Sequence, residues 1–399
     1  MAFVGYVASH ERVAADPTLS SADNRMQRGY AAALAEQFAD LTIFSTVPAY
    51  PGQGPSPLDE DDDGLRVRHL GAASGWSRAI RKPLALAREL DSWARAHRGR
   101  PTLLLHYNTF LLYVLVAVWL RRRHGTRIVP VAITMPYRSP DVRASSASRV
   151  QDWLSARLLR GVDGIVAITP FLVSELAPGR PGLVIRGAVF DESLVDDGLG
   201  EEPAADPVEL VGQPAGPASI VYAGNLTPRY HLAEAVAMMA HLPAAEFVLH
   251  VYGRGVLEPM VREAADSAPN ITFHGAVDES AVPPLLRDAD VLLALLTPDD
   301  EMARLTFPSK LFESLASGTP TLTTDLPTLD DAMRAQLVVV TDLAPACLAA
   351  TVTDVCGRTS AERLAAAAGA QQFLREQGTW SAVGRRLRTF LETLEATAR

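Results

Sequence analysis

The sequence predicts an α/β protein of two domains, each built on a parallel sheet covered by helices on both faces. Short apolar runs alternate with amphipathic helical stretches through short loops over about 150 residues of the C-terminal half, the pattern of a buried parallel sheet. The N-terminal half repeats that alternation. Between them, residues 191–218 are acidic, rich in Gly, Pro and Ala, and lack an apolar period, as expected of a linker. At 399 residues the chain is long enough for two cores. The expected boundaries are 1–192, a linker over 193–217, and 218–379, with a closing helix over 380–399.

Apolar residues at 48% and charged residues at 21% describe an ordinary soluble chain. A net charge of −9 argues against a nucleic-acid partner, because a phosphate backbone needs a basic face. Cys347 and Cys356 are the only cysteines and have no metal-ligand spacing, which fits a reducing compartment. The start, Met1 to Ala8, has no basic region and reads as a first strand rather than a leader. The most apolar run, Thr109 to Leu120, is too short to cross a bilayer. Arg121, Arg122, Arg123 and His124 follow it and read as a solvated helix end, or alternatively as a weak contact with an anionic membrane or acceptor. The expected location is cytoplasmic, with at most peripheral contact at the inner face of a membrane.

In chain order, the first strand leads into a loop from Ser9 to Ser20 and then a helix from about Ser21 to Phe38. His10, Asn24, Arg25 and Gln27 follow a strand end, where open α/β sheets bind ligands. They are candidates for an acceptor site, with loop or capping roles as the alternative. Leu41 to Ser45 reads as a strand. A Pro/Gly-rich loop from Pro48 to Gly64 closes on the five acids Asp59 to Asp63. Adjacent carboxylates repel and do not preorganise a metal site, so this run is expected to be a solvated, mobile loop.

Leu65 to His69 is the next strand candidate, and a helix follows from about Ser77 to His97. The buried strand that begins at Thr102 ends in His106, Tyr107 and Asn108, which places polar side chains at another strand end. His106 reads either as a ligand-facing group or as a core histidine. The strand from Ile128 ends near Arg138, which with Arg143 is within reach of an acceptor or a phosphate.

In the second half, Ser219 to Ala223 is a strand, Gly224 to Tyr230 a loop and Leu232 to His241 an amphipathic helix. Arg229 lies in that loop, as a phosphate partner or a solvated side chain. Glu246 to Tyr252 is a strand ending in Gly253 and Gly255, a turn that serves phosphate approach or simple helix capping. Asn270 to Val277 and Asp290 to Leu296 are strands. From Thr306, Pro308 suits a first helical turn, Ser309 or Thr306 can cap it, Leu311, Phe312 and Leu315 form an apolar stripe, and Gly318 stops the helix before a buried strand, Thr321 to Asp325. Lys310 at the helix start attracts phosphate. Glu313, one turn on, can accept two hydrogen bonds from a ribose diol.

The stretch Pro308-Ser309-Lys310, Glu313, Ala316, Gly318, Pro320 resembles the donor-site motif of the family 4 glycosyltransferases. Ser21, Asn24 and Gln27 resemble the opening of the first helix in polysaccharide-type members. The resemblance implies the GT-B fold, α/β with two Rossmann-like domains facing across a cleft, and a last helix returning to the first domain. It implies that Glu313 binds ribose, that Pro308, Ser309 and Lys310 meet sugar and diphosphate, and that Arg229 shares the diphosphate. Gly224, Asn225, Gly253 and Gly255 are its donor-side turns, Gly275 and Val277 its nucleobase contact, and His106 its group near the transferred sugar. Two positions depart from it. Leu305 stands where many members have a Glu on the sugar, a role for which Asp299, Asp300 or Glu301 are substitutes, and Asn225 stands where an Arg is common.

The expected function is retaining transfer from a nucleotide-diphosphate sugar to a carbohydrate, lipid-linked or small-molecule acceptor hydroxyl, in surface or exopolysaccharide or glycoconjugate synthesis. No cofactor and no metal are expected, since no Asp-x-Asp metal loop is present. A small natural product is the alternative acceptor. A GT-B sugar-nucleotide epimerase and a catalytically silent nucleotide-sugar binding partner are the alternatives of another class.

Overall fold

A computed structural model describes residues 1–16, 19–47, 57–62, 64–70, 78–107, 110–133, 146–194, 216–298 and 301–396. The chain divides into two units, Met1–Ala188 with Leu305–Phe307 and Trp380–Arg399, and Val189–Arg304 with Pro308–Thr379.

The first unit holds eight strands, β1 (Ala2–Gly5), β2 (Thr42–Ser45), β3 (Leu58–Asp62), β4 (Leu65–His69), β5 (Leu103–His106), β6 (Arg127–Ala132), β7 (Ile165–Ala167) and β8 (Gly182–Val184). Their order is β3-β4-β2-β1-β5-β6-β7-β8. Every pairing except β3 with β4 is parallel. The strands at the middle of the sheet are short and almost wholly apolar, with Phe3, Leu104, Leu105, Val129 and Val166 at 0–1% exposure, as expected of a parallel sheet covered on both faces.

The acidic run is not a loop. Leu58–Asp62 forms the antiparallel edge of this sheet, and register sets Asp59 opposite Arg68 and Asp61 opposite Arg66. Arg68 binds both Asp59 and Glu89. Cross-strand pairing of opposite charges removes the repulsion that argued for a loop, and charged side chains suit an exposed edge. The segment after β1 also differs from expectation. Ser9 caps a short helix, His10–Ala15, by accepting from the Arg12 amide at 3.3 Å. Six residues are too few to show a helical period in the sequence.

The final helix, Trp380–Ala396, packs on the helix Ser21–Gln37 within the same unit. Small residues permit the approach: a Cβ on Gly29 would lie 1.9 Å from the Trp380 ring, and one on Gly384 would lie 2.6 Å from the Ala33 carbonyl. Arg127 and Arg386 add bonds from the sheet side, to the Leu394 carbonyl and from the last helix to the Val184 carbonyl.

The second unit is all parallel: β9 (Ala218–Ala223), β10 (Phe247–Tyr252), β11 (Ile271–Gly275), β12 (Val291–Ala294), β13 (Thr321–Thr324) and β14 (Val338–Val340). The order is β11-β10-β9-β12-β13-β14. Ile220, Leu249, Val251, Val291 and Leu322 form the centre of its core. No helix among the described residues is long and apolar enough to cross a membrane.

Candidate functional site

In the second sheet the chain runs β9 to β10 to β11 in one direction and then returns to β12 on the other side of β9. Loops after β9 and β12 therefore part in opposite directions, leaving a crevice at the carboxyl ends of these strands where open α/β sheets place ligands. Gly224, Gly253, Gly255 and Lys310 meet at that end of β9.

The loop after β9 is fixed from both flanks. On one flank the Gly224 amide donates to the Tyr252 carbonyl at 3.0 Å, and Leu226 exchanges bonds with Arg254 and Leu257 at 2.8 and 2.9 Å. Gly253 and Gly255 are required by this contact. A Cβ on Gly253 would sit 1.8 Å from the Gly224 carbonyl oxygen, and one on Gly255 would sit 2.3 Å from that of Leu226. Gly253 also has φ +139, a conformation that favours glycine. On the other flank the Arg229 carbonyl accepts from both the amide and the hydroxyl of Thr297, at 3.0 and 3.2 Å. The Thr297 hydroxyl lies 3.2 Å from His231 Nε2, and His231 Nδ1 lies 3.0 Å from Glu234. His231 is the single non-glycine residue with positive φ among the described residues, at 48°. Its two ring contacts hold a backbone shape that a helix-opening histidine does not otherwise adopt.

The helix Lys310–Ser317 brings the cation. Lys310 Nζ donates to the Ala223 carbonyl at 3.3 Å, so the ammonium stands at the carboxyl end of the central strand, beside Gly224. Lys310 is exposed. Glu313, half-buried, lies one turn along the same helix. Gly318 ends the helix in the left-handed conformation, φ 75. Ser309 does not cap with its side chain: its backbone is already helical, φ −55 and ψ −24, and the Leu311 and Phe312 amides are taken by the Pro308 and Ser309 carbonyls at 3.0 Å each. A turn closed by backbone bonds leaves no place for the hydroxyl to bond in the usual capping manner.

Three residues that stiffen the site carry no signal in the sequence. They are His231, Thr297 and Thr324, whose hydroxyl accepts from the Leu296 amide at 3.1 Å and donates to its carbonyl at 2.5 Å. Each acts through backbone shape, which residue type alone does not disclose. Asn225 is exposed and engages through its carbonyl, which accepts from the buried Tyr222 hydroxyl at 2.6 Å. Burial raises the Tyr222 phenol further, keeping it a donor at neutral pH. The Gly275 carbonyl accepts from the Gly253 amide at 2.8 Å, and Val277 is 37% exposed just beyond.

In the first unit the order reverses between β1 and β5, and His106 closes β5 opposite Val4 at that point. It is 3% exposed. Asn24 is equally buried, and both ends of its amide are used by Ala8: Oδ1 accepts from the amide at 2.9 Å and Nδ2 donates to the carbonyl at 3.0 Å. Gln27 accepts from the Tyr6 amide and Arg28 donates to the Ala8 carbonyl. Asn24 is thus a clamp on the segment after β1 and is not available to an acceptor. His10 opens the short helix, with its side chain outside the description. Arg138, Arg143, Asn108, Asp299 and Asp300 lie outside the described residues. Leu305 is buried, at 1% exposure. No group of three or more His, Cys, Asp and Glu side chains with the geometry of a metal site occurs among the described residues.

The family model described as Glycosyl transferase 4-like domain matches residues 24–181, and that described as Glycosyl transferases group 1 matches residues 217–357. The chain is a family 4-like glycosyltransferase. Solved structures agree on the fold. Sucrose-phosphate synthase from Thermosynechococcus elongatus aligns with TM-score 0.65 at 15% identity, covering 100% of both chains. Trehalose 6-phosphate synthase from Burkholderia multivorans gives 0.64 at 15%, over 100% of this chain and 99% of that one. Anabaena HepE in complex with UDP gives 0.63 at 11%, over 98% and 100%. These place the glycosyltransferase in the GT-B class, with two parallel-sheet Rossmann-like domains. No curated protein sequence matches it.

Proposed function

We propose that this glycosyltransferase takes a sugar from a nucleotide-diphosphate donor seated on the second unit and transfers it, with retention and without a metal ion, to an acceptor hydroxyl in surface-polysaccharide or glycoconjugate synthesis in the cytoplasm. The observation that carries the donor assignment is Lys310 Nζ at 3.3 Å from the Ala223 carbonyl, a cation held at the switch point of the second sheet. The UDP bound by HepE makes UDP the first nucleotide to test. The Ser21, Asn24 and Gln27 pattern supports the polysaccharide setting.

In this reaction the bond from the anomeric carbon to the diphosphate oxygen breaks, and the acceptor oxygen bonds to that carbon. The acceptor proton passes to the departing phosphate. Negative charge grows on the diphosphate as an oxocarbenium-like transition state forms, so catalysis depends on cations already in place. Lys310 and Arg229 supply them. With the Leu311 and Phe312 amides spent on the helix itself, the ammonium is the chief donor of that turn. Glu313 holds the ribose diol, and Gly275 and Val277 border the base.

The deciding experiment incubates the protein with a panel of nucleotide sugars and glycan or lipid-linked acceptors in the presence of EDTA. Release of nucleoside diphosphate and the anomeric configuration of the product are followed by NMR. Acceptor-dependent release with a retained anomer supports the proposal. Inversion, or turnover only with added divalent metal, contradicts those parts of it.

A further inference from the structure

The turn after the Arg229 loop makes more hydrogen bonds than a neutral histidine can supply. His231 opens the helix Leu232–Met238 in the left-handed conformation, φ 48, with its side chain 16% exposed. Its Nδ1 lies 3.0 Å from Glu234 Oε1, and its Nε2 lies 3.2 Å from the Thr297 hydroxyl. That hydroxyl also donates to the Arg229 carbonyl at 3.2 Å, and the Thr297 amide donates to the same carbonyl at 3.0 Å. A carboxylate only accepts, so Nδ1 carries a proton. A threonine hydroxyl has one proton and the carbonyl takes it, so Nε2 has to donate to the hydroxyl oxygen. Both ring nitrogens then carry protons, which makes the ring an imidazolium. In a neutral ring Nε2 turns acceptor and competes with the Arg229 carbonyl for the single hydroxyl proton. Discharging His231 therefore weakens the hold on the loop that carries Arg229.

We propose that His231 is a positioning residue for the donor: its charged form completes a relay from Glu234 through Thr297 to the Arg229 carbonyl, and holds the loop in the shape that receives a nucleoside diphosphate. This role rests on the donor site proposed above and adds its control by protons. Donor affinity rises as pH falls through the range in which histidine titrates. By reciprocity, a bound diphosphate keeps the ring charged to higher pH. The groups around the ring agree with that sign. Its own helix brings Glu234, and the turn before it brings Arg229 and Tyr230. The helix Pro345–Cys356, packed on Leu232–Met238, brings Cys347, Asp354 and Cys356. Asp299 and Asp300, just beyond Thr297, lie outside the described residues. Among the described residues only Glu234 forms an ion pair with the ring, and a carboxylate bonded to Nδ1 favours the charged form. Left-handed backbone at a histidine is uncommon, and two ring contacts to partners 3 and 66 residues away hold it here.

The test is calorimetric titration of UDP, GDP, ADP and dTDP into the full chain at about pH 8, about pH 7 and about pH 6, which brackets the histidine range. It uses the wild type, His231→Asn, Thr297→Val and Lys310→Ala. Asparagine tolerates the left-handed turn and does not titrate. Identical buffers for every variant cancel proton uptake by the nucleotide itself. For the nucleotide that binds, wild-type affinity is expected to rise from the highest to the lowest pH by roughly fivefold more than in His231→Asn, the worth of one charge-assisted hydrogen bond. Thr297→Val loses the rise as well, because the relay is cut while the imidazolium stays. Lys310→Ala binds more weakly at each pH and keeps the rise. NMR of the His231 ring, assigned by its loss in His231→Asn, shows charge persisting to higher pH with nucleotide bound. An equal rise in wild type and His231→Asn overturns the proposal and leaves the donor site standing. So does a Thr297→Val protein with the full rise, since a positive charge without the relay would then suffice. If circular dichroism shows that His231→Asn does not fold, Thr297→Val and the ring titration decide. Binding of none of the four nucleotides at any pH overturns the donor site itself, and this role with it.

Discussion

The ammonium of Lys310 donates to the carbonyl of Ala223 across 87 residues of sequence, tying the start of the helix Lys310–Ser317 to the end of the central strand β9. This single bond converts a local motif into a site, because it sets a cation where the strand order reverses. Lys310→Ala is expected to weaken nucleoside diphosphate binding by at least tenfold, within the roughly 1.5–3 kcal/mol of a charge-assisted hydrogen bond. Nucleoside binding without phosphates changes little. Equal losses for both ligands in titration calorimetry would show that the lysine does not meet the diphosphate.

Glu313 is assigned to the ribose diol, and that assignment separates from a general packing role by ligand chemistry. Glu313→Ala lowers affinity for UDP more than for 2′-deoxy-UDP, by about one hydrogen bond or roughly fivefold to tenfold. A variant that loses affinity for both to the same degree contradicts the assignment.

Gly253→Ala places a methyl group against the Gly224 carbonyl at a φ of +139. The strain is expected to cost on the order of 2 kcal/mol or more. That corresponds to a fall in unfolding midpoint of about 4–8 °C. It also displaces the loop that carries Arg229. Thr297→Val, in contrast, removes the hydroxyl bond to the Arg229 carbonyl while the amide bond remains. It lowers kcat by several-fold with little change in unfolding midpoint. A Gly253→Ala protein as stable and as active as the wild type would show that the loop tolerates a wider spacing.

Acid should destabilise the first unit through His69. Burial lowers its pKa, with Arg12 and Lys82 adding to that and Glu60 opposing it. The native state therefore binds a proton less readily than the unfolded chain, whose histidine titrates at about 6.5. Stability from this group is fully present above that pH and is lost as pH falls through the native pKa. His250 and His274, 3.0 Å apart, are shifted the same way, chiefly by burial, and His274 lowers His250 further. Unfolding midpoints measured from about pH 7.5 to about pH 5.5, across the range where histidine titrates, fall for the wild type and fall less for His69→Gln. An identical slope for both would exclude His69.

Much of this fold was legible because its elements announce their ends. Pro308 at a helix start, Gly318 at its stop and the apolar strands of Thr321 and Val291 were readable from residue type and spacing. So was the pairing of Lys310 and Glu313 on one helix. Parts that depend on partners distant in sequence were not. The acids of Leu58–Asp62 became a strand only because Arg66 and Arg68 lie opposite, and Asn24 became a clamp only because Ala8 presents both an amide and a carbonyl. His231 holds a left-handed turn through Thr297, 66 residues away, and no local pattern encodes that contact. Ser309 shows the reverse case, a residue with good capping chemistry whose backbone was already taken into the turn.

The most direct test of the donor site is calorimetric titration of UDP, GDP, ADP and dTDP into the wild type and Glu313→Ala, in EDTA and again with Mg²⁺. Binding of one nucleotide in EDTA, unchanged by Mg²⁺ and weakened in the variant, is the predicted result. Binding of none, or binding that needs the metal and ignores Glu313, would contradict a metal-independent donor site on the second unit.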